Sequence, residues 1–229
     1  MNGLWADKDS DSFLGKGHRD RMKIETMVLG DVRTNCYLLI QEETGEAVVM
    51  DPADRADVIE RKAVDEGLTL KAIFLTHGHG DHILAVSDLK RDFGLKVYAA
   101  EAEKPLLLDP LQNLSKALFG IAVTVCPDVL LKDGQEFEEA GMRFRMLHTP
   151  GHTPGGCCYY LPEEKVLFSG DTLFCGSIGR TDFPGGSLSE LVRSVKEKLL
   201  VLPEDVKVYP GHEEMTTIGH EKKYNPYMG

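Results

Sequence analysis

The stretch LTHGHGDH (75–82) constrains the fold of this chain more than any other feature of its sequence. Within six positions it gathers three histidines and one aspartate: His77, His79, Asp81 and His82. Neighbouring imidazoles repel one another when protonated, whereas neutral imidazole and carboxylate are ordinary ligands of metal ions. The stretch follows a continuous apolar run of strand length, KAIFLT (71–76), and opens a helical pattern. We therefore predict a buried strand that carries metal ligands at its end.

Three further loops also follow apolar runs of strand length, where a rigid sheet can hold functional groups in place. TPGHTPG carries His152, SGDTLF carries Asp171 and YPGHE carries His212. Together the four loops offer five histidines and two aspartates, which is enough for two metal ions with one carboxylate between them. Asp51 in VVMDPAD ends another predicted strand, and we expect it to hydrogen-bond a ligand histidine and fix its tautomer.

Short apolar runs alternate with helical patterns from residue 22 onward, which predicts one α/β domain over residues 22–229. The predicted strands are 23–29, 35–40, 46–50, 71–76, 96–100, 129–131, 142–147, 156–161, 165–169 and 206–210. The predicted helices are 55–66, with Asp54 as its N-cap, 82–93, 187–200 and 213–223. Residues 1–21 are polar and show no period, so we expect a flexible N-terminal extension.

The charge and the apolar pattern exclude several classes of partner. The net charge is −11, so a broad electrostatic grip on nucleic acid or anionic lipid is not expected. No apolar run reaches the roughly 18 residues that span a bilayer. The five cysteines are an odd number without CxxC spacing, which suits a reducing compartment. We expect a cytoplasmic protein of unknown oligomeric state, with no nucleic acid and no membrane partner.

The pattern HxHxDH, followed by a distant His, Asp and His, resembles the metallo-β-lactamase fold superfamily over residues 22–229. Within it, the chain is most similar to short single-domain type II glyoxalases of bacteria (hydroxyacylglutathione hydrolase-like proteins). GDTLFCGSIGRTDFPGG (170–186) and YNPYMG (224–229) carry that similarity. The resemblance implies a four-layer αββα sandwich with a metal site at one edge of its two sheets.

The resemblance also implies a ligand set. His77, His79 and His152 would bind the first metal ion, and Asp171 would bridge both ions. The second ion would be bound by Asp81, His82 and His212. Asp81 and Asp171 are the expected catalytic residues. Zinc is the first expectation for both ions, with iron and manganese as alternatives.

Two cations about 3.5–4 Å apart lower the pKa of a shared water and polarise a carbonyl, so a bridging hydroxide is the expected nucleophile. A thioester is a suitable small-molecule substrate because its thiolate leaves without much protonation. Arg180 and Asp182 stand where longer type II glyoxalases place a lysine and a tyrosine for glutathione, which leaves glutathione specificity open. Arg180 would hold a substrate carboxylate or a neighbouring loop, and Cys175 would line the site or fill space.

Other activities of the same superfamily remain open. The resemblance offers a persulfide dioxygenase, with one iron on His77, His152 and Asp171, as the first alternative, and a lactone or ester hydrolase as the second. A β-lactamase is disfavoured because the zinc β-lactamases compared place a cysteine where Asp171 stands. A nuclease would need an inserted cap domain, for which the chain has no room. A binding module without catalysis is the remaining class.

Overall fold

The computed structural model describes residues 22–229, and the predicted extension at residues 1–21 lies outside the described residues. Two six-stranded sheets and one two-stranded ribbon account for the strands of this range. The first sheet contains β1 (Met22–Leu29), β2 (Thr34–Gln41), β3 (Glu46–Met50), β4 (Thr69–Phe74), β5 (Lys96–Ala100) and β6 (Val129–Leu131). The second contains β7 (Glu136–Glu139), β8 (Met142–His148), β9 (Cys157–Leu161), β10 (Val166–Gly170), β13 (Lys207–Pro210) and β14 (Thr216–Thr217). The ribbon pairs β11 (Leu173–Phe174) with β12 (Ser177–Ile178).

The helices connect strands in the sequence, except the last one, which follows the final strand. They are α1 (Ala56–Asp65), α2 (Gly80–Ile83), α3 (Val86–Phe93), α4 (Lys104–Leu107), α5 (Ser115–Phe119), α6 (Leu188–Ser194) and α7 (Ile218–Tyr224). A short 3-10 turn, Glu101–Glu103, precedes α4, and a π-helical segment, Val195–Leu199, extends α6. No helix of residues 22–229 is both long enough and apolar enough to cross a bilayer.

Three hydrophobic clusters divide the molecule into four layers. The central cluster lies between the two sheets and includes Leu39, Phe74, Phe144 and Phe168. A second cluster joins the outer face of the first sheet to α1 and α3, and a third joins the outer face of the second sheet to α6 and its extension. The predicted αββα sandwich is therefore confirmed.

Alternation along single strands explains why both faces of each sheet are covered. Leu38 belongs to the outer cluster and Leu39 to the central one, although both are fully buried. Leu167 and Phe168 divide in the same way in the second sheet. Successive side chains of a strand point to opposite faces, so a strand that is apolar at every position needs a layer on each side.

Most predicted elements are present, and three details of the prediction are wrong. Asp54 does not cap α1, because its carboxylate accepts the backbone N–H of Arg55, which adopts a left-handed conformation. The predicted helix 82–93 is interrupted, since the N–H of Ala85 donates to the carbonyl of Pro52. The predicted helix 213–223 begins only at Ile218, since residues 216–217 pair with β13 as β14.

The carboxyl ends of several strands meet at one edge of the sandwich. In the first sheet β3 and β4 are parallel, and in the second β10 and β13 are parallel. Backbone hydrogen bonds join residues at this edge: Gly211 N donates to Gly170 O at 2.8 Å, and Cys157 N donates to Thr76 O at 2.8 Å. Loops that follow β4, β8, β10 and β13 therefore converge.

Candidate metal centre

The loops after β4 and β8 bring together the first group of candidate ligands. Donor atoms of His77, His79 and His152 all lie within 4.8 Å of one another. Nδ1 of His79 is 2.9 Å from Nε2 of His152. All three residues are at most 4% exposed. Three imidazoles in contact away from water are costly unless something shares their lone pairs.

The second group joins the start of α2 to the loop after β13. Donor atoms of Asp81, His82 and His212 lie within 4.8 Å of one another. Nε2 of His212 is 3.3 Å from Oδ2 of Asp81. The His212 side chain is 23% exposed and that of Asp81 is 17% exposed, so this group faces solvent more than the first does.

Asp171, directly after β10, lies between the two groups. Its Oδ2 is 3.5 Å from Nε2 of His152 and 3.5 Å from Nε2 of His212. Its Oδ1 is 3.4 Å from Nε2 of His82. The structure thus places all seven predicted ligand residues in one cluster, with this carboxylate in contact with both groups.

Hydrogen bonds at the back of the cluster orient two rings of the first group. Thr76 donates its hydroxyl to Asp51 Oδ2 at 2.6 Å, so Thr76 Oγ1, 3.2 Å from Nδ1 of His77, serves as acceptor for that ring. Nδ1 of His152 donates to the carbonyl oxygen of Arg180 at 2.7 Å. Both contacts place the ring proton on Nδ1 and leave Nε2 with a free lone pair.

Asp51 also reaches the second group. Its Oδ2 lies 3.1 Å from Nδ1 of His82 without hydrogen-bond geometry, so the predicted hydrogen bond between Asp51 and a ligand histidine is not formed. Asp51 has a φ of 47°, an uncommon conformation for a residue other than glycine. The backbone N–H of Thr76 donates to its Oδ1 at 2.8 Å, which holds this conformation at the strand end.

Burial and neighbouring rings keep His77 and His79 of the first group uncharged. Burial lowers the pKa of His77 well below its usual range, and the adjacent ring of His82 adds to the effect. Burial and then the neighbouring His152 lower the pKa of His79 to about 3. Neutral imidazoles at pH 7 are the form that binds metal ions.

In the second group, hydrogen bonds to carboxylates raise the pKa of His212 instead of lowering it. Burial raises the pKa of Asp171, but His82 and His212 outweigh it and bring that pKa well below its usual range. Burial lowers the pKa of His212, but hydrogen bonds to Asp171 and Asp81 outweigh it and raise that pKa to about 9. Without a metal ion, protons on the imidazoles balance the carboxylates, and a bound cation would take their place.

Unsatisfied polar atoms test whether this cluster fits a metal. Among residues 22–229, six buried side-chain nitrogen or oxygen atoms have no hydrogen-bond partner, and five belong to this cluster. The five are Nε2 of His77, Nε2 of His79, Nδ1 and Nε2 of His82, and Oδ1 of Asp171. Buried polar groups are almost always paired in native proteins, so the cluster matches a site for divalent cations.

Arg180 and Cys175, the two remaining residues that the sequence suggested for the site, lie outside the seven-residue cluster. The guanidinium of Arg180 pairs with both carboxylate oxygens of Asp182 at 2.7 Å and lies 3.9 Å from the ring centroid of Phe183. It therefore contacts its own loop. The structure groups Cys175 with His220 and Glu221, apart from the seven-residue cluster.

Three residues near the cluster escaped the sequence analysis. Thr76 is a polar residue at the end of an apolar run, and that position could have indicated a role in the site. The ring of Phe183 lies 5.6 Å from that of His79. Glu103 is buried beside both loops of the first group, and no local pattern marked it.

The αββα fold and the seven-residue cluster define a metal-dependent hydrolase. The family model described as the metallo-beta-lactamase superfamily matches residues 29–212, and the chain belongs to this family. A relative from Haemophilus influenzae, named hydroxyacylglutathione hydrolase GloC, is 37% identical over 90% of this chain and 98% of its own length.

Solved structures show the same fold. BLEG-1, described as a B3 metallo-beta-lactamase, has a TM-score of 0.85 and 41% identity over 90% of this chain and 99% of its own. The di-iron-bound form of TTHA1623 has a TM-score of 0.78 and 37% identity over 89% of this chain and 99% of its own. ETHE1 from Myxococcus xanthus has a TM-score of 0.76 and 30% identity, covering 90% of this chain and 84% of that one.

Proposed function

We propose that this protein hydrolyses thioesters of the hydroxyacylglutathione type with the help of two divalent cations. The position of Asp171 carries the proposal, because its Oδ2 is 3.5 Å from imidazoles of both ligand groups. The name of the Haemophilus influenzae relative, which is similar over nearly its whole length, supports the choice of substrate.

His77, His79 and His152 would hold the first cation, and Asp81, His82 and His212 the second, with Asp171 shared. This assignment gives partners to Nε2 of His77, Nε2 of His82 and Oδ1 of Asp171, which burial leaves unsatisfied. Zinc remains the first choice of metal. Iron is supported as the alternative by the di-iron-bound form of TTHA1623.

Bound divalent cations would lower the pKa of water and polarise the thioester carbonyl. The chain's own residues prepare that site. The carbonyl of Arg180 holds His152 by Nδ1, so Nε2 of that ring faces the cluster, and the carboxylate of Asp51 lies 3.1 Å from Nδ1 of His82. Asp81 and Asp171 supply the negative charge that keeps two cations close together.

A cavity of about 500 Å³ beside His212 offers a place for the substrate. Val28 and Val32 contribute exposed apolar surface to its wall, and Arg33 contributes a cation. His212 of the second ligand group lines it and is partly exposed. An acyl group in this cavity would therefore lie next to the second ligand group rather than the buried first one.

The test is steady-state kinetics on S-lactoylglutathione and on thioesters of other thiols, with the metal content of the same sample measured. We expect turnover of S-lactoylglutathione and about two metal ions per chain. The His77→Ala/His79→Ala double variant should lose metal and activity together. His220→Ala, which changes an exposed histidine outside the seven-residue cluster, is the matched control. Full metal content in the double variant would contradict the site.

Hydrolysis of β-lactams is a second candidate, favoured by the similarity to BLEG-1. A β-lactam measured beside the thioesters decides between them, since the better substrate has the higher kcat/KM. Oxygen uptake with glutathione persulfide, together with one iron per chain, would instead favour the dioxygenase. Tight metal binding without turnover of any of these compounds would favour a binding module.

A further inference from the structure

Glu103 is a buried carboxylate that has no place in the ligand set. It ends the 3-10 turn after β5 and is 1% exposed. Its carboxylate accepts three hydrogen bonds, from Gly78 N at 2.8 Å, Gly155 N at 2.8 Å and Thr153 Oγ1 at 3.1 Å. A carboxylate is expensive to bury, and these three donors offset that cost.

The donors belong to the two loops that carry the first ligand group. Gly78 lies between His77 and His79, and its N–H donates to Oε1 of Glu103. Thr153 and Gly155 follow His152, and both donate to Oε2. One carboxylate therefore joins the loop after β4 to the loop after β8. Glu103 is 25 residues from Gly78 and 52 residues from Gly155 in the sequence.

Close packing accompanies these hydrogen bonds. A Cβ atom on Gly155 would lie 2.2 Å from the backbone nitrogen of Glu103. A Cβ atom on Gly78 would lie 2.8 Å from the side chains of Leu106 and Leu107, in the helix that follows Glu103. Only glycine fits at position 155, where the contact is with backbone, whereas a Cβ at position 78 would push leucine side chains aside. Both loops therefore lie directly against the segment that carries this carboxylate.

We propose that Glu103 is a positioning residue that sets the distance between His77 and His79 on one side and His152 on the other, and so tunes the first metal site. The inference rests on the ligand assignment under Proposed function. None of the three donors to Glu103 is adjacent in sequence to Asp81, His82 or His212, the ligands of the second group. Loss of Glu103 should therefore weaken one site more than the other.

Glu103→Gln is the primary variant. The amide has nearly the same shape, but it has a single acceptor oxygen, and its NH₂ would face an N–H donor. The glutamine side chain can therefore accept hydrogen bonds from one of the two loops but not from both. Glu101→Gln, at an exposed glutamate of the same turn, is the matched control. Thr153→Val removes one of the three donors and leaves the carboxylate in place.

The readout is Co²⁺ affinity of the full chain, measured by chelator competition in two backgrounds. His212→Ala leaves the first ligand group intact, and His79→Ala leaves the second intact. We expect Glu103→Gln to weaken binding about 10–100-fold in the first background and less than about threefold in the second. Hydrogen exchange at the amides of Gly78 or Gly155 should become faster, whereas Glu101→Gln should change neither measurement.

Equal losses in both backgrounds, or no loss in either, would overturn the inference. If Glu103→Gln does not fold, Thr153→Val decides: a loss of about fivefold confined to the first site supports the inference, and an unchanged first site overturns it. Failure of the ligand assignment would appear separately, as full metal content in His77→Ala/His79→Ala.

Discussion

Oδ2 of Asp171, which follows β10, lies 3.5 Å from Nε2 of His152, which lies in the loop after β8. The same oxygen lies 3.5 Å from Nε2 of His212, which belongs to the other ligand group. A shift of this carboxylate therefore changes both groups together. The glycines beside it control where it can lie.

Gly211→Ala should displace Asp171 and lower metal affinity by about tenfold or more. A Cβ atom there would lie 2.2 Å from Oδ1 of Asp171 and 2.8 Å from Cε1 of His82. Stability should change by less than about 1 kcal/mol, because the carboxylate can rotate away. Metal titration and thermal unfolding of the same sample measure the two effects. Gly219→Ala, whose Cβ would approach only Glu204, is the control and should bind metal normally.

Arg180→Ala should leave metal content unchanged, because the atom that holds His152 is the backbone carbonyl of residue 180. Its guanidinium forms an exposed pair with Asp182, and such pairs contribute about 0–1 kcal/mol. We expect KM for S-lactoylglutathione to change less than about threefold. A large rise in KM at constant kcat would show instead that this side chain binds the substrate.

The sequence predicted the strand ends well because short apolar runs mark them. Glu46–Met50, Lys96–Ala100 and Val129–Leu131 have the predicted bounds, and the ligand loops follow the predicted strands. The edge strand Glu136–Glu139 escaped prediction, since EFEE offers one apolar residue and pairs only with β8.

Long-range contacts explain what local patterns could not predict. Glu103 acquires its partners from loops 25 and 52 residues away, so nothing adjacent to it in sequence indicates burial. Arg180 supplies its carbonyl to His152, and backbone groups leave no trace in residue identity. The break at Ala85 likewise depends on Pro52, in a different loop.

Glu103 should also make stability depend on pH. Burial raises its pKa from 4.5 to about 7, against hydrogen bonds from Gly78, Thr153 and Gly155 that lower it. The folded state therefore binds the proton more tightly than the unfolded state, and stability contributed by the neutral form is lost as pH rises from about 4.5 through about 7. The two pKa values correspond to about 3 kcal/mol.

Urea unfolding of metal-free wild type and Glu103→Gln across this pH range isolates the effect, because glutamine cannot ionise. Cys157 is the titratable neighbour whose own pKa responds to this carboxylate, and burial keeps that pKa well above its usual value. We expect wild type to lose about 3 kcal/mol relative to the variant as pH rises. Wild-type stability that stays constant or rises relative to that of the variant as pH rises would contradict this account of Glu103.

The central claim is that one carboxylate serves two cations, and Asp171→Asn tests it most directly. Asparagine has nearly the same shape but no charge to offset the repulsion between the cations. The measurement is metal stoichiometry and thioester turnover of the purified variant beside wild type. We predict an intact fold, loss of much of at least one metal ion, and turnover lower by roughly 10²–10³. Turnover near the wild-type rate with two metal ions bound would contradict the two-metal mechanism.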